Sequence, residues 1–135
     1  MASHVALLRG INVGGRNKVP MAELREMVTS LGHTGVSTYI QSGNVLFSTP
    51  DSDNARLASA LESAISDRFG IWSSVVVLSR DELARVLDGN PYPDEPNPRF
   101  VHVVFLNDKP PADLLDRIKA AESEAAAKGG RDTIT

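Results

Sequence analysis

The sequence predicts an α+β fold: a ferredoxin-like β-α-β-β-α-β split sandwich, with an antiparallel sheet and its helices on one face, followed by the start of a second α/β subdomain. Three observations predict it. Short apolar runs alternate with stretches of helical period along residues 4–89. The second and third strands are joined by Gln41-Ser42-Gly43-Asn44 alone, too short a link for a parallel crossover. Then Asn90 to Pro98 carries four prolines, a stretch that cannot be helix and is disfavoured as central strand. The expected organisation is a first domain over 1–89, a Pro-rich linker over 90–98 and a partial second subdomain over 99–135.

Residues 4–9 form a short apolar run, read as a buried strand. A loop over 10–19 holds Gly10, Gly14 and Gly15. Pro20 suits the first turn of a helix, where its missing N–H costs nothing. Met21, Leu24, Met27, Val28 and Leu31 follow at helical spacing, and Gly32 ends the helix. Val36 to Ile40, β-branched and aromatic, reads as the second strand, and Val45 to Phe47 as its return. A second helix over about 53–69 repeats Leu57, Leu61, Ile65 and Phe69. Trp72 to Leu78 is the fourth strand, and Ser79 with Glu82 makes a capping box for a third helix that stops near Gly89. Right-handed crossovers put the first and third strands at the centre of the sheet. A small doubly wound sheet is the alternative, disfavoured by the short second link. Past the linker, Phe100 to Leu106 reads as a strand. A helix opened by Pro110 and Pro111 carries Leu114, Leu115, Ile118 and Ala121. Leu24, Met27, Phe47, Phe69 and Trp72 are expected in the core.

Composition narrows the function. The 135 residues carry 14 Lys plus Arg against 17 Asp plus Glu, net −3. That balance argues against a globally basic nucleic-acid binder and leaves room for a local patch. With no cysteine there are no disulfides, thiolate nucleophiles, Cys-based zinc sites or iron–sulfur ligands. The apolar run at the amino terminus ends at Arg9 after four residues, short of a secretory signal, and no stretch approaches the ~20 apolar residues of a membrane span. A cytoplasmic protein is the expectation.

The most informative segment is Arg9-Gly10-Ile11-Asn12-Val13-Gly14-Gly15-Arg16-Asn17-Lys18, between a strand and a helix amino terminus. Glycines allow positive φ and close backbone approach. Arg9, Arg16 and Lys18 set three cations near unpaired helical N–H groups, a combination that suits phosphate or carboxylate. Residues 1–50 hold four basic and two acidic side chains; subtracting from the totals, residues 51–135 hold ten and fifteen. A wide turn with solvated cations accounts for the same residues. Stricter motifs fail. Gly10 and Gly15 have P-loop spacing, but Arg16 and Asn17 stand where Lys and Ser or Thr are needed, and no G-x-G dinucleotide fingerprint is present.

A second polar segment, Gln41-Ser42-Gly43-Asn44, offers two amides and a hydroxyl where a bare hairpin needs only Gly43 and Asn44; an ordinary polar turn reads the same way. We expect the ends of strands one and two at opposite ends of the sheet, which counts against one compact site unless the long first loop folds back. His4, His33 and His102 lack metal-ligand spacing, and His102 in its expected strand reads as structural. Asp51 with Asp53, Asp81 with Glu82, and Asp94 with Glu95 read as helix-start or loop acids. Modules of this fold that bind RNA stack bases on aromatics of the first and third strands; here the first has none and the third only Phe47, which argues against that mode.

The strings ALLRGINVGGRNKVPMAELR at 6–25 and TYIQSGNVLF at 38–47, with Asn90-Pro91-Tyr92-Pro93 and Val103-Val104-Phe105-Leu106, resemble the bacterial domain of unknown function family 1697. The resemblance covers essentially the whole chain. It implies a ferredoxin-like first half, a second α/β portion and, in relatives, a further segment reading Arg-Asn-Trp-Asn-Thr that this sequence lacks; truncation is therefore expected. It implies no reaction and no cofactor. The family's characteristic positions match Arg9, Gly10, Asn12, Gly14, Gly15 and Lys18, and Gln41, Ser42, Gly43 and Asn44. The expected function is binding of a small anionic ligand, a nucleotide or phosphorylated metabolite. Arg9, Arg16 and Lys18 would neutralise it, backbone around Gly14 and Gly15 would cradle it, and Asn12, Gln41, Ser42 and Asn44 would add neutral hydrogen bonds. A protein or nucleic-acid interaction module is the second expectation, and an enzyme completed by a missing carboxy-terminal segment the third.

Overall fold

A computed structural model gives the structure of the chain, described for residues 2–127. The chain divides into two compact units, residues 1–90 and the part from Pro91 onward. The sequence also predicts a helix break at Lys128-Gly129-Gly130-Arg131 and a strand-like end after it; both lie outside the described residues.

The first unit runs β1 (His4–Leu8), α1 (Met21–Ser30), β2 (Thr34–Tyr39), β3 (Asn44–Ser48), α2 (Asn54–Phe69), β4 (Val75–Ser79) and α3 (Arg80–Asp88). Local chemistry sets several boundaries. The Asp53 carboxylate accepts the Arg56 N–H and opens α2, and Gly70 closes it at φ 66°, a left-handed cap glycine takes without strain. Ser79 opens α3 by accepting the Glu82 N–H, the first half of the expected capping box, while the Glu82 carboxylate accepts from Asn54 Nδ2 at 2.9 Å. Pro20 stands just before α1 as its N-cap rather than in its first turn, and gives the helix no side-chain cap.

The strands form one sheet in the order β2-β3-β1-β4, every neighbouring pair antiparallel. That pairing excludes the parallel doubly wound alternative. The register matches His4 with Phe47 and Ser79, and Leu7 with Asn44 and Val76. In β2 it slips between Thr34 and Ser37, a β-bulge that includes Gly35 at φ 59°.

Alternation puts Ala6 and Leu8, Val45 and Phe47, Val75 and Val77 on one face. There they meet Leu24, Met27 and Val28 of α1 and Leu57, Leu61 and Ile65 of α2 in a single core. Both helices therefore cover the same face. Burying each such side chain contributes about 1.5–3 kcal/mol, which is how a fold without disulfides holds. Leu24, Met27 and Phe47 lie where expected and Phe69 is half-buried at the margin, but Trp72 is 68% exposed. The strand begins only at Val75, so Trp72 falls in the preceding loop, and the run of valines after it does the packing.

In the second unit a 3-10 turn, Pro98–Phe100, precedes a helix, α4 (Leu114–Ala127). Leu114 and Ile118 are half-buried, Leu115 and Ala121 exposed. The strand expected over Phe100–Leu106 is not formed, and Val103 and Val104 stand exposed. A strand exists by its ladder to a neighbour, and among the described residues no strand pairs with this segment. His102 is accordingly not a sheet residue; its Nε2 lies 2.8 Å from the Arg99 carbonyl.

Candidate functional site

β1 and β2 both run antiparallel to β3, so they run parallel to each other. Their ends therefore share one end of the sheet. The expectation of opposite ends is corrected: a β-α-β crossover returns the chain to the starting edge before the second strand begins, so both strands finish together. The loop after β1 and the turn after β2 are neighbours.

Hydrogen bonds lock them. Leu8 N–H donates to the Gly43 carbonyl at 2.9 Å. Asn12 Nδ2 donates to the carbonyls of Gln41 (2.8 Å) and Val19 (3.0 Å), and Asn12 Oδ1 accepts the Val19 N–H at 2.8 Å. One side-chain amide thus fastens both ends of the loop and the facing turn. Asn12 holds φ 54°, which Asn tolerates better than most residues. Inside the loop, Asn12 N–H donates to the Asn17 carbonyl and Arg16 N–H to that of Val13, with Gly14 and Gly15 at positive φ between them. This is the backbone pattern of a tight hairpin turn. Ile11 and Val19 are buried and anchor the loop in the core.

A cleft of about 320 Å³ lies where these parts meet, lined by Asn12, Gly15, Lys18, Val19, Pro20, Met21 and Gln41. Its wall includes the amino terminus of α1, whose first helical bond is Leu24 N–H to the Pro20 carbonyl. The N–H groups of Met21, Ala22 and Glu23 therefore have no acceptor inside the helix, and no side chain caps them.

Of the nine expected ligand-binding residues, Asn12, Gly15, Lys18 and Gln41 line the cleft. Gly14 lies beside it in the turn. Arg16 is exposed past the turn. Arg9 is exposed at the end of β1, its N–H donating to the Ser74 carbonyl and its carbonyl accepting from Ser73 Oγ. Asn44 Nδ2 donates to Ser42 Oγ at 3.1 Å, so these two serve their own turn. Sequence reasoning missed Val19, Pro20 and Met21; the helix start was visible, its place on a cleft wall was not. Next to Gln41, Ile40 holds φ 50°, strained for a β-branched residue, and is 61% exposed.

The other end of the sheet carries different chemistry. The His4 and His33 rings flank Phe47, with centroids 5.7 and 4.8 Å from it. Burial pushes the His33 imidazole below its ordinary range, the Asp51 carboxylate partly opposes this, and His4 adds to it. The Asp53 N–H and the Arg56 guanidinium hold Asp51 below the usual carboxylate range. Among the described residues no group of three or more His, Cys, Asp or Glu is placed to hold a metal ion, and no helix is long and apolar enough to cross a membrane.

A family model described as "Protein of unknown function (DUF1697)" matches residues 1–133. No curated protein matches the chain. A solved structure, that of a conserved bacterial protein from Streptococcus pneumoniae, is similar at 31% identity with a TM-score of 0.65. The match covers 90% of this chain and 66% of that one, so the chain spans just under two thirds of its relative's length. The loop and turn that build the cleft fall inside the matched span, and the chain belongs to the DUF1697 family of proteins of unknown function.

Proposed function

We propose that residues 1–90 form a ferredoxin-like split unit whose loop-bearing end binds a small anionic ligand, a nucleotide or phosphorylated metabolite, in the cytoplasm of a bacterium. The strand order β2-β3-β1-β4 and the two helices on one face support the fold. One observation carries the function: the cleft joins an uncapped helix amino terminus to Lys18, the Gly15 backbone and the amide of Gln41. Unpaired N–H groups, the helix dipole and a cation together favour a phosphate oxygen. None of the lining residues is an acid or a histidine, the side chains most often used for proton transfer, which favours binding over catalysis. Asn12 acts as the pin that shapes the cleft, and Arg9 and Arg16 lie outside its wall.

A thermal-shift titration with inorganic phosphate, nucleotides and sugar phosphates tests this. A ligand at about 100 times its Kd adds about 2.7 kcal/mol of stability. Lys18→Ala should leave the Tm of the free protein unchanged and remove most of that shift, while Arg16→Ala should keep it. No shift with any phosphate, or a shift indifferent to Lys18, would sink the proposal.

A further inference from the structure

Three chain segments meet at the loop-bearing end of the sheet: residues 9–20, 39–44 and 70–75. They contain Arg9, Arg16 and Lys18 and no Asp or Glu. The opposite end holds Asp51, Asp53, Asp81 and Glu82 together with Arg56, which pairs with Asp51, and Arg80. In a chain of net charge −3, the fold gathers three acid-free segments at one end. The same end leaves two aromatic side chains in water, Tyr39 at 66% and Trp72 at 68% exposure. Trp72 is the one tryptophan of the sequence. Exposed aromatics sacrifice burial energy that a solitary domain would otherwise gain.

Their placement is ordered. Tyr39 ends β2 at one edge of the sheet, and Trp72 leads into β4 at the other. Tyr39 pairs with Asn44, Asn44 with Leu7, and Leu7 with Val76, one row across all four strands. Asn44, Leu7 and Val76 alternate with core residues and Tyr39 follows Thr38, the partner of core Val45, so the row lies on the face that α1 and α2 do not cover. Arg9, two residues past Leu7, continues that face between the two edges, and its N–H holds the Ser74 carbonyl beside it. With strands about 4.8 Å apart, the row from Tyr39 to Val76 spans about 14 Å, and Trp72 lies four residues before Val76 on the β4 side. A mononucleotide carries one base and cannot engage aromatics at both edges. A single strand offers base, phosphate and base in succession.

We propose that this end of the sheet is a docking surface for single-stranded nucleic acid, with Tyr39 and Trp72 stacking bases, Arg9 between them, and Arg16 and Lys18 on the phosphates. The proposal rests on the anion-binding reading of the cleft for Lys18 alone. It differs from base stacking on the first and third strands, because here the aromatics stand at the two edges. Stacking on exposed aromatics combined with cations is sequence-tolerant, so no base preference is expected.

The sole tryptophan makes a direct probe. The full chain is titrated with oligo(dT) and oligo(U) of about eight nucleotides, following Trp emission and the anisotropy of a labelled strand. Binding should quench the emission. Trp72→Ala should weaken the anisotropy-detected complex about tenfold, and Trp72→Phe should restore most of it. Three cations on a single strand predict about a 20-fold loss of affinity between about 50 and 200 mM salt. Matching far-UV spectra would show that these surface variants keep the fold. No binding, binding without quenching, an unaffected Trp72→Ala, or equal competition by polyglutamate, which has charge but no bases, would each overturn the docking surface. The two readings separate cleanly. A Lys18-dependent shift with inorganic phosphate but no oligonucleotide complex keeps the cleft and removes this surface. Trp72-dependent oligonucleotide binding with no phosphate shift does the reverse.

Discussion

Gly43 lies in the turn after β2, packed against Ile11 of the first loop. A Cβ there would stand 2.9 Å from Ile11 Cδ1 and from Leu8 Cβ, and the residue holds φ 91°. Overpacking and left-handed strain add, so Gly43→Ala should cost about 3 kcal/mol in urea unfolding and open the cleft as well. A loss below about 0.5 kcal/mol, the scatter of ordinary surface changes, would show that the loop yields freely. From sequence, Gly43 is legible only as a turn glycine, because the side chain that crowds it comes from 32 positions earlier, at Ile11. Asn12 is similar. Its polarity marks it for a ligand, while its role as a pin depends on where Gln41 sits. His33 bears on pH. Its folded proton affinity lies below the ordinary value of 6.5, so on acidification the unfolded chain takes up the proton first. Stability contributed by neutral His33 is complete above 6.5 and declines as pH falls through and below that value. The Tm should drop as pH falls from about 6.5 downward, and less steeply in His33→Asn. Equal slopes in the two proteins would assign the effect to other groups.

Helix ends were the elements most legible in the sequence, because a cap is a local event. Asp53 and Ser79 each satisfy an N–H three residues on. α1 is the exception, with proline where a capping oxygen is usual. Pro20→Asp would put a carboxylate at that position, so it should raise stability by about 1 kcal/mol and abolish phosphate binding by occupying the same N–H groups. A stabilised variant that still binds phosphate would place the anion elsewhere. The segment Phe100–Leu106 was the least legible element. Its apolar residues have the composition of a strand, but composition supplies no pairing partner, and the chain there forms no ladder. Trp72 fails for a related reason. An aromatic beside a run of valines reads as core, yet the strand starts three residues later.

At the scale of the molecule, the central position of β1 and β3 follows from connection rules alone and could be read in advance. The meeting of the two polar loops also follows from topology, through the parallel course of β1 and β2, which strand direction and not strand order reveals. The cations of the loop-bearing end all lie within residues 9–18 and are legible along the chain, whereas the arrival of the uncharged segments 39–44 and 70–75 at the same end is not. One further feature acts on the molecule as a whole. β2 is an edge strand, and a regular edge would template addition of another chain through its free N–H and C=O groups. The bulge across Gly35 breaks that repeat and twists the strand, so an incoming strand would find its groups out of phase. The protein is thereby guarded against edge-to-edge polymerisation, and a crowded solution of it should stay dispersed instead of growing fibres from this side.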